Sequence, residues 1–152
     1  MADVLFACVL DANVALKLFF LQPLSDVADA LFAHLEADAR TRFYVPDFFY
    51  AECVSAFARY VRASNYSAAS ARQDVTELRA LSLRVVPTAD LASDALEIAI
   101  AHRISGYDAC YVALSLQVNA PLVTADEKLV QAMAGSAFNV RSLQSFGALP
   151  LP

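Results

Sequence analysis

Apolar and polar residues fall into blocks along the chain, and the period of the pattern switches from block to block. Residues 4–10 (VLFACVL) form a continuous apolar run, the pattern of a strand covered on both faces. Shorter apolar stretches at 42–46, 82–86, 121–124 and 138–141 read as further strands. Between them the spacing becomes helical, over 12–21, 25–39, 47–63, 67–80, 89–104, 108–118 and 126–134. Ser25 and Thr88 are the expected N-caps of two of these helices, and Ser70 with Gln73 has capping-box spacing. Strands that alternate with helices predict a parallel sheet with helices on both faces. The expectation is one α/β domain over residues 1–146, with 147–152 as a loose tail.

The segment 47–63 is amphipathic in a measurable way. At about 100° per residue, Phe49, Tyr50, Cys53, Val54, Ala56, Phe57, Tyr60 and Val61 share one arc of roughly 160°, with Glu52, Ser55, Arg59 and Arg62 opposite. An arc that wide reaches past the sheet to a second surface. Composition points the same way: of the 152 residues 59% are hydrophobic and 18% charged, which rules out disorder and leaves more apolar surface than one small core hides. A partner or a homodimer is expected.

Several chemistries are ruled out by what is scarce. Gly106, Gly135 and Gly147 are the only glycines and have no phosphate-cradle spacing, so dinucleotide, P-loop and nucleophile-elbow motifs are absent. His34 and His102 make no paired-histidine zinc motif, and His102 falls on the Leu91–Ala95–Ile98 face of its helix, where a packed histidine is expected rather than a general base. Cys8, Cys53 and Cys110 are odd in number and sit in apolar segments, as buried thiols of a reducing cytoplasm do. Charges interrupt every apolar run before membrane-span length, and no basic stretch precedes the first strand, so a cytoplasmic protein with no membrane role is expected. A net charge of −5 argues against a broad basic nucleic-acid surface.

Four acids are placed together by the topology. Asp11 ends the first strand; Glu52 lies in the opening turns of the helix after 42–46; Asp126 follows the strand 121–124; Asp108 starts the helix that returns to that strand. In a parallel sheet all four reach the carboxyl edge, where ligands bind. Each has a plainer reading: Asp108 and Asp126 as helix caps, Glu52 as part of a solvated face, and any of them as partners of Lys17, Arg59 or Arg103. Asp11 fits a plain reading least, since a carboxylate ending an apolar strand is costly unless paired or metal-bound. Oxygen ligands without His or Cys suit Mg²⁺ or Mn²⁺, and such ions activate water and bind phosphate, which points to phosphoester hydrolysis. Asn13 and Thr124 are placed to hold carboxylates or waters, or are ordinary turn residues.

The segments VLDANVAL (9–16), VPDFFYAE ending in Glu52 and, most specifically, GYDACYVALSLQVNAPLVTAD (106–126) resemble PIN-domain ribonucleases of the VapC toxin type. The resemblance spans about residues 4–140. It implies a five-stranded parallel sheet in the order 3-2-1-4-5, and Mg²⁺ or Mn²⁺ held by Asp11, Glu52, Asp108 and Asp126, with Asp11 and Asp108 as core ligands and Thr124 in support. It also implies endonucleolytic cleavage of RNA by a metal-activated water, dimerisation, and inhibition by a cognate antitoxin. Two lysines and nine arginines with no basic run leave phosphate affinity to scattered Arg residues and the metal. Two other readings are a non-catalytic module on the same fold and a haloacid-dehalogenase-type phosphatase. For the latter, Asn13 stands where its second Asp would be.

Overall fold

The computed structural model describes residues 6–63 and 65–146, so the proposed tail at 147–152 and the first two residues of the 4–10 run lie outside the described residues. β1 (Phe6–Leu10) is the central strand. Its side chains alternate: Cys8 and Leu10 enter one core and Val9 the other, all fully buried. A continuous apolar run is what such a two-sided strand requires. Around it follow α1 (Ala12–Ala15), α2 (Ser25–Ala37), β2 (Thr41–Pro46), α3 (Phe49–Arg62), α4 (Ala68–Ala80), β3 (Leu83–Val86), α5 (Ala92–His102), α6 (Gly106–Val118), β4 (Leu122–Thr124), α7 (Glu127–Met133), β5 (Val140–Ser142) and α8 (Leu143–Phe146). The sheet is parallel throughout in the order β3-β2-β1-β4-β5, the expected one. α1, α2, α3 and α8 pack on the Cys8–Leu10 face, and α5, α6 and α7 on the Val9 face.

The differences from expectation lie at element ends. The helix expected over 12–21 is one α-turn followed by a 3₁₀ turn at Leu16–Leu18. Phe19 and Phe20 leave the helical path to meet Phe57 edge-on at 5.4 Å and to stack on Tyr60 at 4.0 Å, and Pro23 disfavours helix at the residue before it. Ser25 does not cap α2. Its buried hydroxyl donates to the Phe20 carbonyl and accepts from the Gln22 N–H, while Leu24 makes the turn at φ +69°. The cap of α4 is Ser67, whose hydroxyl accepts from Ser70 N–H, so Ser70 is the donor three residues into the motif rather than its start. Thr88 opens a 3₁₀ turn and is bonded through its N–H and hydroxyl to Asp47, tying β3 to the end of β2. β5 starts two residues later than expected and runs directly into α8.

Candidate active site

Two neighbouring strand ends, those of β1 and β4, anchor the site at the carboxyl edge. β1 ends in Leu10, and Asp11 continues its ladder by donating its N–H to the Val123 carbonyl of β4 at 3.1 Å. Thr124, the last residue of β4, is fully buried and its hydroxyl is engaged three times. It donates to Asp11 Oδ2 at 2.9 Å and accepts from Asn13 Nδ2 at 3.2 Å and from the Asp126 N–H at 3.0 Å. Asn13 Oδ1 in turn accepts from the Ala125 N–H at 3.1 Å. These bonds lock the β1–α1 and β4–α7 turns together, and they give Asn13 a bracing place in the turn where an acid/base catalyst would need a carboxyl.

The plainer readings of the acids can now be separated. Asp126 is a cap: its Oδ1 accepts from the Lys128 and Leu129 N–H groups at the start of α7. Asp108 is not. Ser105 caps α6, accepting from the Asp108 N–H at 3.1 Å, and Asp108 is the third residue of the helix. Glu52 lies on α3 with Oε1 accepting from the Tyr111 hydroxyl at 2.6 Å. None of the four is in an ion pair among the described residues. Lys17 donates instead to the Pro23 carbonyl and Gln22, Arg59 lies over the Tyr60 ring, and Arg103 turns the chain after α5 at φ +57°.

Electrostatics records how near these acids are. Burial, then the charges of Glu52 and Asp108, raise the Asp11 carboxyl from 3.8 to about 7 despite the Thr124 and Asn13 bonds that lower it. Glu52 is raised by burial and then by Asp108, against its bond from Tyr111, and Asp108 by burial and then by Asp126, against the Ser105 hydroxyl. Asp11, Glu52 and Asp108 thus each feel the charge of a neighbouring acid through space. Among the described residues no three His, Cys, Asp or Glu side chains close into a ready cage, so the cluster is open rather than preformed. Glu52 and Asp126 each keep an oxygen that no described donor occupies, and the donor set is all oxygen, the chemistry of a hard divalent cation. A cation here would neutralise what Lys17, Arg59 and Arg103 leave unpaired.

Tyr111 was missed by the sequence reading, where it passes for a core aromatic. It is 1% exposed, is packed edge-on to Phe48 at 5.4 Å, and turns its hydroxyl to Glu52. Burial and the charges of Asp11 and Glu52 hold that hydroxyl in its protonated, donating form. Its spacing of three residues from Asp108, on one helix face, is the signal that would have found it. His102 instead packs edge-on against Phe138 at 5.7 Å.

Residues 8–134 match the model of the PIN domain family, and with that coverage the chain belongs to it. Similar folds are found in PAE2754 from Pyrobaculum aerophilum, at 18% identity and TM-score 0.68 over 97% of this chain and 93% of that one. They are found too in VapBC2 from Rickettsia felis, bound to a DNA fragment from its promoter (14%, TM-score 0.64, 90% and 98%). A third is Mycobacterium tuberculosis VapC20, a toxin that cleaves the sarcin–ricin loop (17%, TM-score 0.61, 82% and 94%). No curated protein matches the sequence. At these identities the likeness is one of fold.

Proposed function

We propose that the protein is a metal-dependent endoribonuclease, the toxin of a toxin–antitoxin pair, which hydrolyses RNA phosphodiesters with an activated water. The observation that carries this reading is the set of four carboxylates at the carboxyl edge around buried Asp11 with no cationic side chain paired to them. Asp11, Asp108, Glu52 and Asp126 would hold Mg²⁺ or Mn²⁺. A bound divalent ion supplies water acidified towards neutral pH and shielding of phosphate charge. Thr124 fixes Asp11 through Oδ2. Tyr111 fixes Glu52 in the same way, and Asn13 holds the two turns in register. The RNA substrate is supported by the family and by the neighbour that cleaves the sarcin–ricin loop.

The same reading gives the protein two protein partners, a second copy of itself and an antitoxin, the latter supported by the toxin–antitoxin complex from Klebsiella pneumoniae among its structural neighbours. The cleft of about 300 Å³ between α3 and α4, lined by Tyr50, Val54, Val75, Leu78 and Arg79, is where an apolar antitoxin segment would lie. No helix among the described residues is long and apolar enough to cross a membrane. Cleavage of structured RNA in Mn²⁺, Mg²⁺ or chelator tests the central claim. Activity should vanish in chelator and return with the ion; undiminished cleavage in EDTA would overturn it.

A further inference from the structure

Along the polar face of α3 a cleft of about 460 Å³ opens towards the start of α6, walled by Phe48, Ala51, Glu52, Ser55, Arg59 and Tyr107. Its near end is the acid cluster, because Glu52 belongs to both. Arg59 lies seven residues further along the helix, about 10 Å at a rise of about 1.5 Å per residue. At the start of α3 the wall of the cleft is made by Phe48 and by Tyr107 of α6, edge to face with ring centres 5.3 Å apart. Tyr107 is 65% exposed, and among the described residues every other Phe and Tyr is buried or half-buried. The one ring left open to solvent is therefore the one beside Asp108, with a second ring bracing its position. Arg59 forms no ion pair among the described residues, so its guanidinium donors are free for an anion in a protein of net charge −5.

We propose that this cleft is a nucleotide subsite: a base flanking the scissile phosphate stacks on the open face of Tyr107, and Arg59 takes a neighbouring phosphate of the same strand. This rests on the ribonuclease reading and specifies how single-stranded RNA lies across that site. An exposed aromatic accepts any base by stacking, and an arginine holds phosphate in a planar fork, so the pair positions a strand without needing a basic patch. That answers how an acidic protein engages a polyanion: one ring and one fork beside the metal ligands replace a broad positive surface. Single-stranded RNA is the fitting substrate because its unstacked bases are free to lie on a ring, whereas a duplex hides them.

The test measures binding of a short fluorescent single-stranded oligoribonucleotide to the Asp11→Asn protein, in which cleavage is expected to be lost, alone and combined with Tyr107→Ala, Tyr107→Phe or Arg59→Gln. Tyr107→Ala should weaken binding about tenfold, and in the otherwise wild-type enzyme should raise KM with little change in kcat. Tyr107→Phe should stay within about twofold of its parent. Arg59→Gln should weaken binding and lower the dependence of log affinity on log salt by about one. If the parent cleaves RNA and Tyr107→Ala binds and cleaves as well as it does, the subsite is overturned while the nuclease reading stands. If Tyr107→Ala shifts the sedimentation coefficient and leaves RNA binding unchanged, the ring is a protein contact and the subsite is again overturned. If wild type with Mn²⁺ neither binds nor cleaves RNA, the nuclease reading falls and the subsite with it.

Discussion

Asp11 and Thr124 form a buried donor–acceptor pair in which the acid has no counter-cation, and that decides how the site responds to substitution and to pH. Asp11→Asn keeps an acceptor for the Thr124 hydroxyl and removes a charge that its neighbours repel. The expected result is a folded protein with unchanged or raised melting temperature in chelator, no measurable RNA cleavage, and greatly weakened Mn²⁺ binding by calorimetry. Had Asp11 been half of a buried ion pair, its loss would cost about 3–5 kcal/mol, so an early-melting variant that kept its specific activity would contradict the assignment. The pH dependence has the matching sign. The folded-state value of Asp11, about 7, lies above the ordinary 3.8, so its contribution to stability is complete below about pH 4 and is lost as pH rises through 7. Glu52 and Asp108 shift in the same direction. In chelator, melting temperature should climb as pH falls from about 8 to about 5, and Asp11→Asn should flatten the climb. Tyr111→Phe leaves the ring in place and frees Glu52 to rotate. Loss of such an outer support of a ligand weakens metal binding by about 10–100-fold. Titration of Mn²⁺ against the variant should show that loss with little change in melting temperature.

At the scale of the element, the placing of the candidate site was legible where topology alone determines position and illegible where side chains choose between partners. Asp11, Glu52, Asp108 and Asp126 could be gathered from sequence because a parallel sheet puts every strand end and every returning helix start on one edge. The strand order, too, followed from the resemblance and holds in the structure. Helix starts were another matter. Ser25, Ser70 and Thr88 carry the right hydroxyls for capping, yet Ser25 braces a loop, Ser67 takes the cap of α4, and Thr88 bonds to Asp47 forty-one positions away. Local propensity cannot see a partner so distant in sequence. The same limit hid α1's early end, which Phe57 and Tyr60 impose from α3. The start of α6 is the case with a functional edge. Because Ser105 caps the helix, Asp108 is spared that task. Ser105→Ala should lower stability by about 1 kcal/mol in urea denaturation and weaken Mn²⁺ binding as well. Ser105→Asp, which restores a cap, should recover most of the stability.

At the scale of the whole molecule, the apolar excess noted in the sequence has a location. Leu96 and Ile100 are exposed one turn apart on α5. A second copy covering this face would remove those side chains from water, and sedimentation at micromolar protein is expected to show a dimer. Leu96→Glu, which places a charge on that face, should shift it to monomer with the melting transition still cooperative. The three thiols reach further. Cys8 sits in β1 three positions before Asp11, Cys53 in α3 beside Glu52, and Cys110 in α6 two positions after Asp108, all of them reduced and buried. Burial raises all three, Cys53 to about 12, so none offers a thiolate to reagent while its element is closed. Each of these three acid-bearing elements therefore contains its own built-in clock. The rate at which an alkylating reagent captures a given cysteine reports how often that strand or helix swings away from the rest. An ion that bridges β1, α3 and α6 should slow all three clocks by a common factor, whereas an ion held by one element alone would slow a single one.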